Sequence, residues 1–182
     1  MKWALMVARG AASGTLFSHF VAHEMGEREY TYFMPSSWTQ NYYHIVTGTM
    51  RRVSCISADI HERLYPFFGG IARELGVQLI AGNGMPDHAH LLVRFPSDMA
   101  PAVMAGNFKS RTSSWISENF PGMQEFSWQK GYGGFTVSHS NVPIVEAYIR
   151  NQQEHHREMS FAEEFEELLR KHEIAYDPKY LD

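Results

Sequence analysis

The stretch from Pro86 to Pro96, PDHAHLLVRFP, constrains this chain more than any other. Ala89, Leu91, Val93 and Phe95 recur with period two, which makes a strand with one face for a core. His88 and His90 then fall side by side on the opposite face. Two imidazoles so placed aim the same way and can share one divalent ion. The plainer reading is a pair of surface histidines in a chain that has ten. An isolated H-x-H motif does not decide between the two.

At 182 residues, 44% of them apolar, the chain suits one well-cored domain with appendages. Cys55 is its only cysteine, so an intrachain disulfide and a cysteine-rich zinc site are excluded, and the chain fits a reducing cytoplasm. No apolar run is long enough to span a bilayer, so no membrane partner is expected. Met1 to Ala8 imitates a signal peptide until Arg9 interrupts it. Residues 1–36 show no periodicity and read as an N-terminal extension outside the native domain. Met34 is a candidate natural start, with residues 1–33 dispensable.

The formal charge of −4 argues at first against a nucleic-acid partner. Its distribution weakens the objection. From Phe161 onward, Glu163, Glu164, Glu166, Glu167, Glu173, Asp177 and Asp182 face only Arg170, Lys171 and Lys179. The body is therefore near neutral and can carry a local basic surface. Residues 161–182 are expected to form an acidic helix and tail with a solvated glutamate face.

Tyr42 to Met50 has first-strand composition, followed by Arg51 and Arg52. Ser57 then caps a helix in which Ile60, Leu64, Phe67, Phe68, Ile71 and Leu75 recur until Gly76. Val77 to Ala81 reads as a second strand, Gly82-Asn83-Gly84 as a turn, and the His88 strand as its antiparallel partner. Ser97 is the expected cap of a second helix, with Met104, Phe108, Thr112 and Trp115 on one side. Phe126 to Val137 supplies a last strand, bent or preceded by a loop. The expected fold is α+β: a ferredoxin-like or RRM-like βαββαβ antiparallel sheet with helices on one face, plus C-terminal helices. The histidines should point to the face left open.

After Ser140-Asn141-Val142-Pro143 a helix should run through His156. Tyr148 and Gln152 lie four apart on it, so a phenol and an amide project together. Ser160 and Glu163 match a capping box for a last helix with Phe161, Phe165, Leu168 and His172 along one side. Arg51, Arg52, Arg94, Lys109, Arg111, Lys130, Arg150 and Arg157 are candidates for phosphate contacts. Lys109 and Arg111 lead because one helix can present them together. Trp128, Tyr132 and Phe135 could stack on unpaired bases, though core packing is the stronger reading for each.

Taken together, four stretches resemble the single-tyrosine HUH transposases of bacterial insertion sequences, the IS200-like transposases. They are Tyr43-His44-Ile45-Val46, Met85 to Val93, Trp128-Gln129-Lys130-Gly131-Tyr132-Gly133, and Tyr148-Ile149-Arg150-Asn151-Gln152 with His155-His156 behind. Their order matches over roughly residues 38 to 182, with residues 37–160 as the catalytic domain. The resemblance implies cleavage and rejoining of single-stranded DNA through a 5′-phosphotyrosine. Tyr148 would be the nucleophile, and His88, His90 and Gln152 would bind Mg²⁺ or Mn²⁺. It also implies a homodimer that recognises DNA hairpins at the element ends.

The chemistry is coherent, because a phenol with a pKa near ~10 needs a cation to stabilise charge on the attacking and leaving oxygens. Two other functions compete. A non-catalytic RRM-like module would bind nucleic acid without cutting it, and a small metal-dependent phosphoesterase would use water, with His155 or His156 as base. The latter leaves Tyr148 without a role. The acidic last helix could also serve as a protein-interaction element.

Overall fold

The structure, a computed structural model, describes residues 38–177. The expectations for residues 1–36 fall outside these. Among the described residues, those from Thr39 onward form one compact unit. Its elements are β1 (Asn41–Gly48), α1 (Ala58–Glu74), β2 (Gln78–Met85), β3 (His88–Phe95), α2 (Pro101–Asn119) and β4 (Gly133–Val137). Three C-terminal helices follow: α3 (Val142–Arg150), α4 (Gln152–His155) and α5 (Phe161–Lys171). The sheet runs β2-β3-β1-β4 with every neighbouring pair antiparallel, the ferredoxin-like order.

Local chemistry accounts for the boundaries. Ser57 Oγ accepts the Ile60 amide at the start of α1, and Gly76, at φ +68°, ends it in the left-handed region. Ala100 rather than Ser97 occupies the N-cap of α2, with Pro101 supplying the first helical φ. The expected turn at Gly82-Asn83-Gly84 lies inside β2; the hairpin turns at Pro86-Asp87 instead. Those glycines serve close approach. A Cβ on Gly82 would stand 2.7 Å from the Tyr65 ring, and one on Gly84 2.2 Å from the His88 carbonyl oxygen.

The period-two reading of β3 holds. Ala89, Leu91 and Val93 join Ile45 under α1 and α2, in a core with Leu64, Phe68, Met104, Phe108 and Trp128. Phe67 stacks on Trp115 where the two helices meet. Burying such side chains gives roughly 1.5–3 kcal/mol each before entropic costs, which makes this layer the main source of cohesion.

The opposite face is not open. Leu92 packs with Ala81 and Ile149 beneath α3, and Val46 and Phe135 pack with Phe161, Phe165 and Leu169 of α5. Helices cover both faces of the sheet because α3 and α5 are themselves amphipathic and bury apolar side chains against its second face. The acidic helix is likewise not wholly solvated. Glu163 and Glu166 are exposed, but Glu164 is 1% exposed.

Candidate functional site

His88, His90 and His44 project from the α3–α5 side of the sheet, and His88 and His90 are fully buried. The hairpin tip that aims them is tied down by backbone bonds. Pro86 O accepts from the amides of Cys55 and Ile56 at 3.0 and 2.9 Å, and Asp87 O from Thr49 at 2.7 Å. His88 Nδ1 donates to Asp87 Oδ1 at 2.7 Å, while His90 Nδ1 lies 2.9 Å from His44 Nε2. With the Nδ1 atoms engaged, both rings turn Nε2 inward, the arrangement that orients metal-binding histidines.

Tyr148 and Gln152 do come together, though not on one continuous helix. The chain breaks at Asn151 (φ −99°, ψ 19°), and Asn83 Nδ2 caps the end of α3 by donating to Arg150 O at 3.0 Å. Past the break, Gln152 Oε1 lies 3.2 Å from His88 Nε2. Tyr148 packs its ring against His44 and His90, with centroids 6.1 and 5.9 Å away. One chain thus supplies the phenol, the amide and both imidazoles.

What joins them is Glu164. Its Oε1 accepts the Tyr148 hydroxyl and, at 2.8 Å, the Gln152 amide nitrogen. Its Oε2 lies 3.1 Å from His156 Nε2, 3.3 Å from His90 Nε2 and 3.7 Å from His88 Nε2. Helix α5 holds it there through its Ser160–Glu163 capping box and through Phe161, whose ring stacks on His88 at 4.1 Å. The sequence reading missed Glu164 and gave His156 only the role of a base. The signal for Glu164 was present: it sits three residues after Phe161 and four before Leu168, so it lies on the apolar stripe.

Electrostatics prepares these groups for a cation. Burial pushes His90 down to about 4, against an opposing pull from Glu164. Burial, with His90 adding to it, likewise holds His44 well below the usual histidine range. For Glu164, burial raises the carboxyl, but the proximity of His90 and the hydrogen bonds from Tyr148 and Gln152 outweigh it and leave it strongly acidic. Burial and the Glu164 charge together raise the Tyr148 phenol. Neutral His90, an ionised carboxylate and a neutral phenol are the result, and the first two are the forms that bind metal.

A divalent ion fits this set. One ligand atom each from His88, His90, His156 and Glu164 lie within 4.8 Å of one another. The buried His90 Nε2 makes no hydrogen bond. A cleft of about 460 Å³, lined by His44, Phe135, Tyr148, His155 and Glu164 among others, leads to the phenol.

The candidate DNA contacts are scattered. Lys109 donates to the carbonyls of Gln129 and Gly131, whereas Arg111 pairs with Glu74 of α1, so the two are not presented together. Residues two apart on a helix point to different sides. Arg52 lies over the Phe161 ring at 4.7 Å, Arg150 pairs with Glu146 at 2.7 Å, and Lys130 is exposed. Trp128 and Phe135 are buried in the packing.

A ferredoxin-like sheet carrying a histidine–carboxylate cluster beside a helical tyrosine defines the class the motifs suggested. The family model described as "Transposase IS200 like" matches residues 37–152, and the chain belongs to that family. It is 24% identical over 115 residues to the ISDra2 transposase TnpA of Deinococcus radiodurans, a match covering 60% of this chain and 82% of that protein. The crystal structure of a protein from Deinococcus radiodurans R1, described as a transposase, matches with a TM-score of 0.53 and 23% identity, over 64% of this chain and 94% of that one. A REP-associated tyrosine transposase bound to a REP hairpin matches with a TM-score of 0.52 and 13% identity, over 72% and 74%. These two likenesses speak for the fold. Among the described residues, no helix is long and apolar enough to cross a membrane.

Proposed function

We propose that this transposase cleaves and rejoins single-stranded DNA through a 5′-phosphotyrosine on Tyr148, with a divalent ion held by His88, His90 and Gln152. The observation that carries the reading is the shared carboxylate: Glu164 bonds the Tyr148 hydroxyl and faces the imidazoles in one chain. A scissile phosphate enters by the cleft that Tyr148 lines. Tyr148 Oη bonds to phosphorus as the bond to the 3′ oxygen breaks. Glu164 Oε1 orients the hydroxyl, the phenol's proton leaves to solvent, and the departing 3′ oxygen takes a proton from solvent. The ion, when bound, supplies Lewis-acid stabilisation of the phosphate oxygens. Because the phosphodiester energy is kept on the tyrosine, a later 3′ hydroxyl can reverse the step without ATP.

The substrate would be DNA with hairpins at the element ends, a reading supported by the fold likeness to a transposase bound to a hairpin. A homodimer would bring two such sites to the two ends, and the work would be done in the cytoplasm. The test is a hairpin-bearing single-stranded oligonucleotide incubated with the protein and Mn²⁺ or Mg²⁺. A gel shift that survives denaturant and disappears with chelator is expected. Binding without an adduct would select the non-catalytic module, and turnover without an adduct the phosphoesterase.

A further inference from the structure

Three imidazoles in this site share one orientation. His88 Nδ1 donates to Asp87 Oδ1 at 2.7 Å, His156 Nδ1 donates to Met159 O at 2.7 Å, and His90 Nδ1 meets His44 Nε2 at 2.9 Å. A carbonyl can only accept, so His156 Nδ1 carries a proton, and its Nε2 faces inward like the other two. All three Nε2 atoms converge on the same carboxylate oxygen, Glu164 Oε2, at 3.1 to 3.7 Å. One cation between them would satisfy the three ring nitrogens and the carboxylate oxygen at once.

We propose that His156 and Glu164 join His88 and His90 as direct ligands, making a three-imidazole, one-carboxylate site for a first-row transition ion such as Mn²⁺ in preference to Mg²⁺. The inference rests on the reading of this cluster as the reaction's ion site, and it changes the character of the ligand set. Two imidazoles and an amide bind weakly and discriminate little. A third imidazole and an anionic oxygen add nitrogen donors that Mg²⁺ binds poorly and a charge that strengthens binding of either ion. With Gln152 Oε1 beside His88, a six-coordinate ion would still keep a position for a phosphate oxygen. Both added ligands come from beyond residue 152, where the family model's match ends. Glu164 divides its oxygens accordingly: Oε2 for the ion, Oε1 for Tyr148 and Gln152.

Titration calorimetry of the full chain without DNA tests this with MnCl₂ and MgCl₂ as probes. Mn²⁺ is expected to bind about 100-fold more tightly than Mg²⁺, and His156→Ala and Glu164→Gln each to weaken Mn²⁺ by about 10- to 100-fold. Pulsed electron paramagnetic resonance of the Mn²⁺ complex should report three imidazole nitrogens in the native protein. Equal affinity for the two ions, unchanged Mn²⁺ binding in both variants, or only two imidazole nitrogens overturns the proposal. The nitrogen count needs no variant, so a substitution that unfolds the chain does not block the test. A covalent adduct formed by a protein with only two imidazole ligands leaves the phosphotyrosine reading standing and removes this one. A three-imidazole Mn²⁺ site in a protein that never forms an adduct does the reverse.

Discussion

The carboxylate of Glu164 holds the hydroxyl of Tyr148, although the two residues lie on separate helices, α5 and α3, with α4 between them. The pairing fixes where the phenol can be. It also gives the phenol's proton an acceptor in a pocket where burial alone would keep it neutral. A phenol and the carboxylate that holds it are thus carried by two separate helices.

Replacing Tyr148 with Phe removes one oxygen and leaves the ring packed on His44 and His90. Covalent adduct formation should vanish while hairpin binding, measured by gel shift under native conditions, is unchanged. The lost hydrogen bond should alter stability by only about 1 kcal/mol. An adduct that persists would remove Tyr148 from the chemistry.

Ser160→Ala tests whether α5 is a structural part of the site. The serine hydroxyl accepts the Glu163 amide, and the Glu163 carboxylate accepts the Ser160 amide in return. Loss of the cap should cost about 1 kcal/mol, or a fall in Tm of about 2–4 °C for a chain of this size. Ser160→Asp, which can cap in the same way, should recover most of it. If α5 were a detached interaction element, neither variant would move the unfolding transition.

Much of this arrangement was legible in the sequence. The β3 alternation, the α1 cap and stop, and the Ser160 capping box are local signals, and each is where its residues predicted. The break at Asn151 was not, because nothing in VEAYIRNQQEHH forbids a continuous helix; a tertiary bond from Asn83 to Arg150 O caps α3 there. The covered histidine face was missed for a related reason. An H-x-H strand with polar side chains reads as exposed unless the carboxylate that satisfies it is known to be near. Glu164 lies 74 residues downstream of His90, in a run of glutamates whose solvated members hide the buried one.

Gly84→Ala should be severe, and its mechanism is backbone collision. The added Cβ would meet His88 O at 2.2 Å, Ala89 Cα at 2.9 Å and Tyr65 Oη at 2.9 Å, and the first two belong to the strand that carries His88 and His90. Destabilisation of about 3 kcal/mol or more is expected, with weakened Mn²⁺ binding because His88 must shift. Gly106→Ala on α2 is the control: nothing lies within 4 Å, and removing a helical glycine should stabilise by about 0.5–1 kcal/mol. Calorimetric unfolding of the two variants gives opposite signs, or the close-approach account of β2 is wrong.

The basic side chains separate by what they already hold. Lys109 donates to Gln129 O at 2.7 Å and to Gly131 O, so it ties the 129–131 loop down, and burial pushes its pKa below the usual lysine value. Lys109→Ala should therefore lower Tm before it changes DNA affinity. Lys130, exposed on the same loop, has the opposite profile. Lys130→Ala should leave stability within about 0.5 kcal/mol, weaken hairpin binding alike for different sequences, and reduce the slope of log affinity against log salt by about 1. Arg111 and Arg150 fall between, since each must give up a carboxylate, Glu74 or Glu146, to reach a phosphate. A Lys109→Ala protein with unchanged Tm and a lowered salt slope would reverse this order and put the lysine on the DNA.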